Sequence, residues 1–413
     1  MRRAIVSGVA HRLEDWVRRG PARWRAAVAA CALLVSLLVP TGAASAEENG
    51  VKVGSGRLHP SIEIGGEYDS RAKVEFGTGD SIGGFLLHLK PALTFDNGSR
   101  EVAFSLRASG DANIYPMRQT RNLTYFGGDV DLSLDINPRG TVGVVLEDRF
   151  AHSDRNSAVA IGSGVRSIFN EAAVSLPIRP GGGALEIIPS YALQLEAFMT
   201  VLGETTGVGQ PRELNYLSHR PNLQARWRFL PKTAVVLDVL GDYRQYFEPG
   251  VGGSNLWGFY AKAGLSGLIT PKLSLVVNAG YGRSFLIDPA YNSVIGQAEL
   301  TFIPNTFTRI KLGYARTFMP VPQLIWFGDN RVYGGGSVLL GGRLLFDFEG
   351  SFDLVNYATG RIDTVIGLDL GLRVRITEWM EAGGGYRLDI RGSSDAGSAY
   401  QRHLVGAMVN LRY

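Results

Sequence analysis

The stretch "HLVGAMVNLRY", His403 to Tyr413, decides the fold. Reading back by twos from Tyr413 gives Leu411, Val409, Ala407 and Val405, all apolar. The residues between them, Arg412, Asn410, Met408, Gly406 and Leu404, are mixed and turn polar toward the end. A period of two is the side-chain period of a β-strand. Terminal residues of an ordinary domain fray and are usually polar. A strand that must seal a barrel keeps its apolar set to its last residue, so 403–413 is expected to be a closing strand.

The same alternation recurs upstream. In "EVAFSLRASGD", Val102, Phe104, Leu106 and Ala108 oppose Ser105, Arg107, Ser109 and Asp111. "DVDLSLDI" sets Val130, Leu132, Leu134 and Ile136 against Asp129, Asp131, Ser133 and Asp135. "LFDFEGSFDL" sets Phe346, Phe348, Phe352 and Leu354 against Asp347, Glu349, Ser351 and Asp353. In "IGLDLGLRVRI", Ile366 to Ile376 by twos are apolar, opposite Asp369, Arg373 and Arg375. A soluble sandwich shows the same alternation, so the connections between strands must decide.

Tight-turn chemistry falls at "DNGS" (Asp96), "NPRG" (Asn137), "RPGGG" (Arg179), "LPK" (Leu230), "TPK" (Thr270), "PNT" (Pro304), "LGGR" (Leu340) and "TEW" (Thr377), about every 35 to 50 residues. The alternate connections, from Ser70, His152 and Thr200, are longer and more polar. Short turns at one end and longer loops at the other, over strands of nine or more residues, are the signature of a transmembrane up-and-down β-barrel. A β-propeller also repeats at about 40 residues, but the paired glycines here keep no fixed register. The fold expected is all-β, an antiparallel barrel of eighteen strands, or sixteen if the stretch from Pro322 divides differently.

"GAMVNLRY" resembles the C-terminal insertion signal of bacterial outer-membrane barrels, carried here by Gly406, Val409, Leu411 and Tyr413. Leu411 and Val409 stand where that signal often has a second aromatic. The resemblance implies delivery to the barrel-assembly machinery and a place in the cell outer membrane, with outer-membrane lipid around the barrel.

Residues 1–46 read as a cleaved signal peptide. Seven arginines lead into the apolar run Ala26 to Pro40, and "ASA" (Ala44 to Ala46) offers a small-residue cleavage site. The run of about 15 residues is short of the roughly 20 that span a bilayer as a helix. Residues 47–56 are then a short periplasmic segment and 57–413 the barrel. Taking the leader's seven arginines and two acids from totals of 42 and 38 leaves 35 bases and 36 acids. A near-neutral mature chain gives no reason to expect a nucleic-acid partner. The one cysteine, Cys31, leaves with the leader, so disulfides, thiol nucleophiles and cysteine metal sites are not expected.

The face opposite the apolar one supplies the candidate pore-lining residues. Acids fall at Asp129, Asp131, Asp135, Asp347, Glu349 and Asp353, and bases at Arg226, Arg228, Arg309 and Lys311. Arg373, Arg375, Arg387 and Asp389 follow. Opposed charged walls set selectivity in channels; they also occur wherever a wet lumen pairs its charges, and both readings stand. "HSDRNS" sets His152 beside Ser153, Asp154, Asn156 and Ser157, similar to the His/Ser/Asn chemistry of outer-membrane phospholipases. It lies in a loop, where a nucleophile and its base lack fixed geometry. His59, His88, His219 and His403 are scattered singly. No enzyme activity, cofactor or metal is expected.

Two functions remain. "HPSIEIGGEYDS" (His59 to Ser70) resembles the opening strand of β-barrel porins associated with exopolysaccharide export, in which a proline-led strand with glycines runs to a Tyr-Asp pair. That resemblance implies secretion of a cell-surface polysaccharide through a passive conduit fed by a periplasmic or inner-membrane export partner, and it is the reading favoured here. The alternative is a general or sugar-selective diffusion porin for small hydrophilic solutes. An anchor for an envelope complex is a distant third.

Overall fold

The computed structural model describes residues 50–74, 81–153, 166–199, 215–247, 255–285, 291–319, 326–395 and 398–413. The leader lies outside them, as do Asp154 to Ser157 and most of the long connections after Ser70 and Thr200. The strands are β1 (Val51–Val53), β2 (Gly56–Val74), β3 (Ser81–Gly98), β4 (Val102–Ile114), β5 (Tyr125–Ile136), β6 (Val144–Ser153) and β7 (Arg166–Ser175). They continue as β8 (Leu185–Met199), β9 (Tyr216–Leu230), β10 (Thr233–Tyr246), β11 (Leu256–Thr270), β12 (Leu273–Phe285) and β13 (Tyr291–Asn305). The last six are β14 (Thr308–Met319), β15 (Phe327–Leu340), β16 (Leu344–Tyr357), β17 (Ile362–Arg375), β18 (Met380–Ser393) and β19 (Tyr400–Arg412).

Every neighbouring pair is antiparallel, and β19 returns to β2, with Leu404 opposite Asp69 and Arg412 opposite Ser61. β1 is a three-residue strand folded back on the start of β2. The barrel proper is therefore the closed ring of eighteen strands β2 to β19. Closure matters physically: in lipid, every backbone N–H and C=O must find a partner within the protein, which an open sheet edge cannot supply. The seam extends one bond beyond the strand, from the Tyr413 N–H to the Pro60 carbonyl at 3.0 Å.

All eight tight turns read from the sequence connect strands. The turn after β15 shows why glycine is needed. Arg343 N donates to the Leu340 carbonyl at 3.2 Å, and Gly341 and Gly342 between them have φ of 58° and 69°. Two central residues at positive φ make the turn whose twist suits a hairpin. A Cβ on Gly342 would meet nothing within 4 Å, so any penalty there comes from the backbone alone. Gly342→Val is expected to lower stability by about 1–2 kcal/mol, and Gly342→Asn by much less, because Asn tolerates that conformation. Urea unfolding midpoints in lipid vesicles measure the difference.

The outer surface is apolar along the strand middles: Leu312, Val405 and Ile64 are 61%, 51% and 50% exposed. Exposed aromatics flank this band at both rims. Trp227, Phe229, Phe302, Phe307 and Trp379 lie near the short turns, and Tyr68, Trp257, Phe259 and Phe285 near the longer connections. Aromatic rings prefer the level of the lipid headgroups. Buried side chains gather on the inner wall near the longer connections, among them Tyr216, Ser218, Asp242, Leu256, Phe327, Tyr357, Asp363 and Arg391.

Candidate functional site

The inner wall of β14 to β18 carries a ladder of ion pairs. Lys311 and Glu349 both stand opposite Gly335 of the strand between them. With no side chain at Gly335 in the way, Lys311 Nζ reaches across β15 to Glu349 Oε2 at 2.5 Å. A Cβ at Gly335 would lie 2.5 Å from the Phe348 carbonyl oxygen. Arg331 bridges the other oxygen of Glu349 at 3.2 Å and Asp353 at 3.7 Å. Arg373 pairs with Asp347 at 2.8 Å, and Arg387 with Asp369 at 2.6 Å. Glu349 and Asp369 are direct cross-strand neighbours. Facing like charges destabilise a sheet, so each needs a cation: Glu349 has Lys311 and Arg331, and Asp369 has Arg387. These pairs are well exposed, so each contributes only about 0–1 kcal/mol to stability. Their consequence lies in the field they set up.

This wall encloses a cavity of about 720 Å³. Arg309, Lys311, Asp347, Glu349, Asp353, Arg387 and Asp389, all candidates from the sequence, lie on it together. Sequence reasoning missed Asp329 and Arg331, which line it too, and placed Asp369 on the polar face without naming it as pore-lining. The charged lining is six acids against four bases. Asp329 Oδ1 is buried with no hydrogen-bond partner among the described residues.

The other candidates are not gathered there. Arg226 lines a second cavity of about 440 Å³ with Glu186, Asp238 and Lys262, where Lys262 pairs with Asp238 at 3.4 Å. Asp131 pairs with Arg149 at 3.4 Å, and Ser109 Oγ donates to Asp129 at 2.5 Å, on the wall formed by β4 to β6. Three residues sit toward the short turns instead. Arg228 donates to the Gly183 carbonyl at 3.4 Å, Asp135 faces Ala103 and Val145, and Arg375 faces Glu381. In the closing strand, Gly406 faces Gly385 and Glu67, Val409 faces Ala382 and Ile64, and Leu411 faces Met380 and Ile62.

Near the longer connections two further networks pack the inner wall. Asp363, fully buried, accepts from Arg361 at 2.7 and 2.9 Å, from Ser393 and from Arg391, and Arg391 also donates to Tyr357 Oη. On the opposite arc, Tyr216 Oη donates to Glu196 at 2.6 Å, while Ser218 and Arg244 both donate to Asp242. A buried carboxylate is tolerable when it is fully hydrogen-bonded, and these hold the ends of their strands. Of the histidines, His88 lies 3.3 Å from Glu63, and His219 and His403 bond to Tyr191 and Tyr386. No group of three metal-ligating side chains occurs among the described residues.

A protein-family model described as "Putative beta-barrel porin 2" matches residues 44–413. Among solved structures, OccK2 (OpdF) of Pseudomonas aeruginosa is similar at 9% identity, covering 88% of this chain and 99% of that one with a TM-score of 0.51. OccAB3 of Acinetobacter baumannii is similar at 9% identity, covering 87% and 100%, with a TM-score of 0.50. At such identity the likeness is one of fold. No curated protein matches the sequence.

Proposed function

The chain belongs to this family of β-barrel porins and is an outer-membrane barrel, and from that premise we propose that it is a passive diffusion channel for small hydrophilic solutes with a preference for cations. The observation that carries the reading is solvation at mid-barrel. Arg387 and Asp369, at the middle of β18 and β17, and Arg331, five residues into β15, keep side-chain exposures of 58%, 48% and 42%. Water reaches these charges halfway along the wall, as a conduit requires. The sign of the preference follows from the surplus of acids around the larger cavity. Family and fold are those of channels, and a channel needs no catalytic group.

Export of a surface polysaccharide draws less support. The motif that suggested it, His59 to Ser70, lies on β2, where its residues serve the pairing with the strands on either side. Gly65 makes room for the His88 ring and Gly66 for Phe85, and Asp69 pairs with Arg402 of the closing strand at 2.7 Å. Packing against β3 accounts for the glycines, and the pairing with the closing strand accounts for the Asp of the Tyr-Asp pair.

Planar-bilayer recording of the purified protein under a salt gradient tests the proposal. Steady ohmic conductance with a cation-sided reversal potential is expected, and Asp329→Asn with Asp389→Asn should reduce the cation-to-anion permeability ratio about threefold. A silent or anion-preferring barrel would overturn it. So would loss of surface polysaccharide on deletion of the gene, which would restore the export reading.

A further inference from the structure

We propose that the outer face of β12 to β15, at the rim carrying the longer connections, binds the phosphorylated headgroup of an outer-leaflet lipid. Exposed side chains on this face alternate with buried ones along β12: Tyr281, Arg283 and Phe285 point outward while Gly282 and Ser284 are covered. Trp257 and Phe259 of β11 and Tyr314 of β14 extend the aromatic rim on either side. Two guanidinium groups are set into it. Arg283 lies over the Phe285 ring at 4.7 Å. Arg316, exposed on β14, donates through Nε to the Val294 carbonyl at 3.0 Å and through its terminal nitrogens to Asn330 Oδ1 at 2.9 Å and Ser293 Oγ at 3.4 Å.

None of those partners carries negative charge. Among the described residues, no Asp or Glu occupies an outward register position on β11 to β15 in this half of the barrel; Asp329 and Asp242 stand on the inner wall. Elsewhere in the barrel arginine is routinely matched to a carboxylate, as at Asp363 and Asp69. A guanidinium beside lipid with no protein counter-ion is unfavourable unless the surroundings supply an anion.

The geometry selects the anion. A guanidinium carries five N–H donors, and Arg316 spends one from each nitrogen on the protein, which fixes the group while two donors remain for a ligand. Phosphate oxygens suit that planar array. The aromatic rim marks headgroup depth, and Leu312 and Leu300 beside it, exposed apolar residues further along β14 and β13, continue the surface toward the membrane interior. Free phosphate would use only the arginines. A phosphorylated lipid uses the arginines and lays its acyl chains along the apolar strip.

Native mass spectrometry of the intact barrel, titrated with a diphosphorylated lipid A and with its dephosphorylated form, tests this. The phosphorylated lipid should be retained at least about tenfold better. Arg283→Ala with Arg316→Ala should remove that advantage while heat-modifiable gel mobility stays unchanged, and the paired lysine variant should keep part of it. Equal retention of both lipids, or an unaltered double alanine variant, would refute the site. Displacement of the lipid by equimolar inorganic phosphate would show a free-anion site instead. A change in oligomeric mass of the alanine variant with unchanged lipid occupancy would make this face a contact between copies. Should the alanine variant fail to fold, the two lipids on the unaltered protein decide the matter.

Discussion

Removal of Leu411, Arg412 and Tyr413 is expected to abolish the folded outer-membrane form. These residues close the seam at the short-turn rim. Leu411 lies between Met380 and Ile62, Arg412 N donates to the Trp379 carbonyl at 2.9 Å, and Tyr413 N to the Pro60 carbonyl at 3.0 Å. Their loss strips partners from β2 and β18 at once. An unpaired backbone group facing hydrocarbon costs several kcal/mol, and a few such groups exceed the ~5–15 kcal/mol that holds a typical fold. The resemblance of "GAMVNLRY" to an insertion signal adds a kinetic loss, since the assembly machinery would no longer be engaged. The truncated chain should therefore be missing from outer-membrane fractions and show no heat-dependent shift on a gel. A shortened protein that still migrates as a compact, heat-modifiable species would mean that the seam tolerates an open end.

Much of this architecture is legible in the sequence because turns and alternation are local. Pro231 and Lys232, or Gly341 and Gly342, announce a hairpin through backbone chemistry alone, and all eight such turns lie where strands meet. β15 was the hard element. Its Gly334, Gly335 and Gly336 belong to neither the apolar nor the polar set, so alternation fades and Asp329 and Arg331 escape notice. The cavity was less legible still. Lys311 meets Glu349 across 38 residues of sequence by reaching over an intervening strand, and only the register shows that Gly335 clears the way. The candidates held Lys311 with Glu349 and Arg373 with Asp347, but nothing in the sequence showed that they pair, and Arg331 was absent. The outward arginines were hidden for the opposite reason. Arg283 and Arg316 sit on the face that alternation assigns to lipid, where a charge reads as noise until the rim aromatics around it are placed.

Leu312→Arg against Lys311→Leu separates the two faces of one strand. Leu312 is 61% exposed at the middle of β14, with exposed Leu300, Ile310, Tyr314 and Val332 around it. An arginine there meets hydrocarbon and no carboxylate, and should cost about 2–4 kcal/mol, the midplane value for a barrel's lipid face. Lys311, one residue away, points inward to Glu349. Its replacement by Leu removes a pair worth about 0–1 kcal/mol in a wet lumen, so folding should hardly change. What changes is the field. Glu349 keeps Arg331 but loses its nearer cation, the cavity gains net negative charge, and the reversal potential should move further to the cation side. Unfolding from lipid vesicles and bilayer recording on the same two variants should give opposite rankings: Leu312→Arg unstable but unaltered in selectivity wherever it folds, Lys311→Leu stable but more cation-preferring. Equal destabilisation would mean that the charged wall of β14 to β18 is packed dry, and a dry wall cannot conduct.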